Sequence, residues 1–203
     1  WQAAWKMSWT YFRQNLLLSK DLSIFYGDRC VANGISLTLN RGDRIALVGR
    51  NGCGKSSLLK LLIGQPIAHT GTLEIGSRLT VSYVPQDMSF LSGSADDFAA
   101  ESEIDITLFK TILRKLDFKR TQFTKDMSEF SMGQKKKVLL ARSLCQRANL
   151  YIWDEPLNYI DVISRLQIET LILEYKPTML FVEHDEAFVN DIATKVCRIS
   201  LNQ

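Results

Sequence analysis

Two kinds of apolar pattern divide the chain. Residues 22–26 and 35–39 alternate apolar with polar side chains, as half-buried strands do, and residues 73–75 and 79–84 read likewise with Gly71 and Gly76 as punctuation. Together these predict an antiparallel β portion. Residues 45–48, 151–153 and 179–182 are instead short and continuously apolar, the pattern of parallel strands covered on both faces. Helical spacing follows or separates them: residues 56–62 present Leu58, Leu61 and Leu62; residues 133–145 present Val138, Ala141, Leu144 and Cys145; residues 162–174 present Ile163, Leu166 and Leu171. Strands and helices in alternation predict an α/β core.

Between Gln86 and Phe130 no strong strand pattern occurs. An acidic run over residues 96–105 and a helical pattern over 107–116 make this stretch a small helical subdomain, expected over about residues 88–134 and inserted into the core. Trp1, Trp5 and Trp9 fall four apart, on one face if that segment is helical. Residues 1–19 are read as the trailing end of a linker or a cloning remnant, and residues 20–203 as the folded domain. The chain opens at Trp1 with neither a basic head nor an apolar core of the signal-peptide kind, and reads as a piece of something longer.

Composition narrows the class without deciding it. At 203 residues, 46% hydrophobic and 23% charged, the chain suits one globular domain with a subdomain attached. A net charge of +3 is too small to argue for a nucleic-acid partner. No apolar run approaches the roughly 18 residues that a bilayer crossing requires. Cys30, Cys53, Cys145 and Cys197 are scattered with no C-x-x-C pair, which fits reduced thiols in a cytoplasmic protein.

The chemistry starts at Gly49-Arg50-Asn51-Gly52-Cys53-Gly54-Lys55-Ser56, a full match to G-x-x-x-x-G-K-[ST] placed directly after an apolar strand and before a Leu-rich helix. Its glycines let the backbone wrap a polyphosphate, and the N–H groups of the loop and of the helix start, Ser57 included, point at phosphate oxygens. Lys55 is expected to neutralise the β and γ oxygens of the polyphosphate, and Ser56 to offer its hydroxyl to Mg²⁺. A second constellation, Leu150-Tyr151-Ile152-Trp153-Asp154-Glu155, is an apolar strand ending in two acids, where ligands of open α/β sheets sit. Asp154 is expected to reach Mg²⁺ through water, and Glu155 to polarise the attacking water.

With these in place the sequence resembles the ATP-binding-cassette (ABC) ATPases over about residues 22–201. The resemblance implies a P-loop α/β domain with an antiparallel β subdomain and an inserted helical one. Tyr26 matches the aromatic residue that stacks on adenine. Gln86, in Tyr83-Val84-Pro85-Gln86-Asp87, matches the Q-loop glutamine that senses Mg²⁺. Ser131-Met132-Gly133-Gln134 matches the signature sequence, with Met132 where the usual pattern has Gly; in the family this turn completes the γ-phosphate pocket of an opposing cassette. Asp161 matches the D-loop, and His184 the switch histidine. The implied catalytic set is Glu155, His184 and Gln86, with Gly49, Asn51, Gly52, Cys53, Gly54, Lys55, Ser56 and Ser57 around ATP, and Ser56, Gln86 and Asp154 serving the metal. His69, in a loop before Gly71, receives no role.

The run Asp154-Glu155-Pro156-Leu157-Asn158-Tyr159-Ile160-Asp161 resembles the corresponding stretch of the ABC-F branch, with Leu157 and Tyr159 in place of Thr and His. Lys135, Lys136 and Lys137 after the signature, together with Met132, look like the second cassette of the antibiotic-resistance members. The resemblance implies a cytoplasmic ATPase, weak without a second cassette from the same longer chain or a head-to-tail homodimer. It also implies action on the ribosome through linker regions outside these residues, with no direct membrane insertion. The alternative is the motor subunit of a membrane transporter. The three lysines point in three directions on a helix and are expected to form a solvated helix start.

Overall fold

The computed structural model describes residues 15–200, so the Trp1, Trp5 and Trp9 segment lies outside the described residues. The chain divides into two compact units. One takes in residues 84–147 and 155–175, and the other residues 15–83, 148–154 and 176–200. The expected insertion at 88–134 falls within the first of these.

The larger unit holds two sheets. A three-stranded sheet has the order β2-β1-β4, with β1 (Asn15–Tyr26) pairing antiparallel to both β2 (Arg29–Asn40) and β4 (Ala68–Ile75). Its strands run well beyond the residues whose alternation announced them, because β4 is exposed along most of its length and has no buried face to pattern. A five-stranded sheet has the order β5-β6-β7-β3-β8, formed by β3 (Arg44–Val48), β5 (Val81–Val84), β6 (Leu150–Asp154), β7 (Met179–Val182) and β8 (Lys195–Arg198). β3 pairs parallel with β7 and β8, and β6 pairs parallel with β7. Every residue of β6 and β7 is buried, as continuous apolar runs require.

The expectation that residues 79–84 join the antiparallel portion is not met. Asn149 pins this segment beside β6: its Oδ1 accepts from Thr80 N at 3.0 Å and Thr80 Oγ1 at 2.6 Å, and its N–H donates to Thr80 O at 2.9 Å. Helix α1 (Lys55–Leu62) packs on β2 and β6, burying Leu58, Leu59, Leu61 and Leu62 in a core shared with Leu22, Ile24, Leu39, Ile45 and Leu180. Each such side chain stabilises the unit by roughly 1.5–3 kcal/mol. The short helix α6 (Glu186–Ile192) is capped by Asp185 and docks Phe188 edge-on to Phe181 at 5.6 Å between ring centres.

The smaller unit is helical: α2 (Ala95–Glu101), α3 (Ile106–Lys115), α4 (Met132–Cys145) and α5 (Val162–Tyr175). Helices α3 and α4 pack together, with Phe109, Ile112, Leu113, Val138 and Leu139 buried. Ser94 and Asp105 cap α2 and α3 by accepting from Asp97 N and Leu108 N. No helix among the described residues is long and apolar enough to cross a membrane.

Candidate functional site

In the larger unit the phosphate loop lies between β3 and α1. Gly54 sits at φ 87°, and a Cβ there would come within 2.6 Å of Val31 O and Ala32 Cβ, so this position demands glycine on both counts. Lys55 is 6% exposed, its ammonium donating to Gly49 O at 2.9 Å and Arg50 O at 3.0 Å. These bonds use two of its three N–H donors and hold the charge over the loop. Asn51 and Gly52 are exposed at the tip, Cys53 is buried beneath it, and Ser56 and Ser57 are half-buried in the first turn of α1.

Helix α1 differs from its counterparts at its N-terminus. It has no side-chain cap. The other described α-helices are capped by Ser94, Asp105, Ser131, Asp161 and Asp185. A helix start with its orphan N–H groups left open beside a buried ammonium suits a polyanion.

Two further candidates in this unit stand at strand ends. Asp154, 1% exposed, ends β6, and its charge reaches Tyr83, whose hydroxyl is pushed up to about 12 by burial first and by Asp154 second. His184 is exposed after β7, its backbone N–H held at 2.7 Å by the carboxylate of buried Glu183. Tyr26 ends β1, half exposed.

In the smaller unit Glu155 is the centre. Its φ of 50° places a non-glycine residue in the left-handed region, a conformation costing about 1–2 kcal/mol that persists where surroundings impose it. Two amides hold its carboxylate: Gln86 Nε2 donates to Oε2 at 2.9 Å, and Asn158 Nδ2 to the same oxygen at 2.5 Å. The signature residues open α4 with a capping box, in which Gln134 N donates to Ser131 Oγ and Ser131 N to Gln134 Oε1. Met132 is 45% exposed. Gly133 faces Tyr159 so closely that a Cβ would lie 2.5 Å from its carbonyl oxygen. Asp161 accepts from Ser164 N at 2.9 Å and pairs with Lys137 Nζ at 2.5 Å. Burial pushes the Asp161 carboxyl upward, but Lys137 and Ser164 outweigh it and hold the group at about 2.

The family model described as "ABC transporter" matches residues 32–158, which span the phosphate loop, Gln86, the signature turn and both acids. The chain belongs to the ABC transporter family. The ATP-binding domains of that family are ATPases. A relative described as "Putative ATP-binding protein YdiF", from Bacillus subtilis (strain 168), is 36% identical over 193 residues, covering 91% of this chain and 30% of its own length. "ABC transporter F family member 2" of Arabidopsis thaliana is 29% identical over 192 residues, covering 92% of this chain and 28% of its own length. The chain thus spans about a third of the curated relatives it matches. Among solved structures, one described as "Structure of ATP binding subunit of ABC transporter" superposes with a TM-score of 0.76 at 22% identity, covering 92% of this chain and 88% of that one. That similarity speaks to the fold alone.

Sequence reasoning missed three contributors in this ABC domain. Asn158 grips Glu155, and its signal was present in a carboxamide three residues beyond the acid, across a turn closed by Asn158 N to Glu155 O. Lys136 and Lys137 correct the expected solvated helix start, being only 1% and 8% exposed. Lys136 Nζ donates to Pro85 O at 3.3 Å, and Lys137 reaches Asp161. Helical geometry does send the three lysines in different directions, but two of those directions lead into packed loops that are remote in sequence.

Proposed function

We propose that this chain is one ATP-binding cassette, the second, of a cytoplasmic ABC-F-type ATPase that acts on the ribosome as a translation factor or in ribosome-protective antibiotic resistance. The observation that carries the nucleotide chemistry is the uncapped N-terminus of α1 beside the buried Lys55 ammonium. The run from Asp154 to Asp161 and the similarity to an F-family member over 92% of the chain support the branch.

ATP is bound by Lys55 and the N–H groups of residues 51–57, with Tyr26 against the adenine. Mg²⁺ suits the Ser56 hydroxyl and the buried Asp154 carboxylate of the larger unit, the latter acting through water; the Gln86 side-chain oxygen is the donor that the smaller unit would add, since Gln86 Nε2 is the atom given to Glu155. When bound, the ion neutralises charge on the terminal phosphates. Glu155 orients and polarises the attacking water, and His184 donates a hydrogen bond to the γ-phosphate or to that water. Ser131, Met132, Gly133 and Gln134 serve the nucleotide of an opposing cassette, and Asp161 lies in the loop facing it. An isolated cassette lacks these opposing donors and turns over slowly.

The test uses the full-length protein that carries this chain, with Glu155→Gln to slow hydrolysis. Ribosomes are sedimented with it in ATP and in ADP at near-physiological salt, where non-specific RNA binding is suppressed. Retention in ATP and release in ADP is the expected result. No retention in either overturns the ribosome reading, leaves the ATPase standing, and favours the motor subunit of a membrane transporter.

A further inference from the structure

Two lysines lie buried near the start of α4, where apolar packing alone would be served by Leu or Met. Taking an ammonium out of water is expensive, and buried ion pairs are weak sources of net stability. What these two do is connect. Lys136, 1% exposed, donates to Pro85 O, and the next residue, Gln86, gives its amide to Glu155 Oε2. Lys137 pairs with Asp161, three residues beyond Asn158, whose Nδ2 donates to the same Oε2. Between these grips, Gly133 of the signature turn presses on the carbonyl of Tyr159, a residue itself held at φ 67°.

We infer that Lys136 and Lys137 are positioning residues that tie the start of α4 to both loops holding the Glu155 carboxylate, so that a displacement of the signature turn is carried to Glu155. The inference rests on the reading of Glu155 as the group that polarises water. The route has two arms. One runs from Lys136 through the Pro85–Gln86 peptide, and the other from Lys137 through Asp161 and the turn back to Asn158. Both end on one oxygen, and a strained φ at Glu155 means that its orientation depends on these outside restraints. An ammonium suits the task at Lys137 because a charge-assisted bond fixes distance more tightly than a neutral contact does.

The experiment measures steady-state ATP turnover of the full-length protein. The variants are Lys136→Met, Lys137→Met, Lys137→Arg, Asp161→Asn and the Lys137→Met/Asp161→Asn pair, with Glu155→Gln setting the floor. Each Met variant is expected to lower kcat about tenfold while KM for ATP stays within about twofold. Lys137→Arg, which keeps the charge, is expected to stay within about twofold of the parent. The pair should be no slower than its slower member, as for residues acting through one contact. Thermal melting separates misfolding from misplacement; if a Met variant does not fold, Asp161→Asn decides the Lys137 arm. Glu155→Gln at the floor with unchanged kcat in the folded variants overturns the inference, as does a loss confined to KM. Glu155→Gln with undiminished turnover overturns the Glu155 reading and this inference with it.

Discussion

Glu155 is a non-glycine residue in the left-handed region, and its carboxylate is gripped twice on one oxygen. The two carboxamides on that oxygen set its aim. Asn158→Leu keeps the approximate size and removes the Nδ2 donor. Its expected effect is a fall in kcat of about tenfold, with ATP binding unchanged, against the roughly 10²–10⁴-fold loss typical of removing a general base itself. Single-turnover hydrolysis beside equilibrium nucleotide binding separates the two; an equal loss of affinity would show that Asn158 shapes the nucleotide pocket instead. At this scale the sequence names acids and glycines through motif identity, and the structure places Gly54 and Gly133 where a Cβ would collide with backbone. The sequence was silent on Lys136, Lys137 and Asn158, whose partners are chosen by packing between segments far apart in the chain.

The elements were most legible where one physical constraint dominated. β3, β6 and β7 are buried on both faces, so their apolar runs were unambiguous, and the Ser131 capping box marks the start of α4 within a residue of the expected position. β4 was underestimated because an exposed strand carries no alternation, and residues 79–84 were sent to the wrong sheet because Asn149, rather than any feature of the strand, decides its neighbour. The link between α4 and the start of α5 yields a pH prediction. An ordinary aspartate titrates near 3.9, and Asp161 is held at about 2, so the folded state binds fewer protons than the unfolded chain through that window. The stabilisation is present in full above about pH 4 and is lost as pH falls through about 2. Carboxyl NMR of labelled protein should place the Asp161 midpoint near the bottom of the aspartates, and Lys137→Met should move it upward. An unmoved midpoint would mean that Ser164 alone sets it.

At the scale of the whole molecule, the fold class and the α/β alternation were available from periodicity, and the partition of the chain was not. The smaller unit is built from two stretches, one of which begins at Glu155, immediately after the strand that supplies Asp154. Covalent geometry keeps the Cα atoms of these two acids about 3.8 Å apart whatever either unit does. ATP binding should therefore be measurable as stabilisation of the native chain, about 2.7 kcal/mol when ligand is at a hundred times Kd. Differential scanning fluorimetry with ATP and Mg²⁺ should show an upward shift that Lys55→Met removes. A shift that survives Lys55→Met would place the nucleotide somewhere other than the loop at Gly49.

β3, the strand that leads into the phosphate loop, has β7 on one side and β8 on the other. Both neighbours come from residues 179–198, near the far end of the domain, so during synthesis β3 waits with both edges bare while more than half of the domain is still to be made. The loop cannot acquire its frame from the residues around it in sequence. Competence to hold a nucleotide is thus among the last properties the nascent domain gains, and a chain stopped before residue 179 keeps the complete motif without the scaffold that gives the motif its shape.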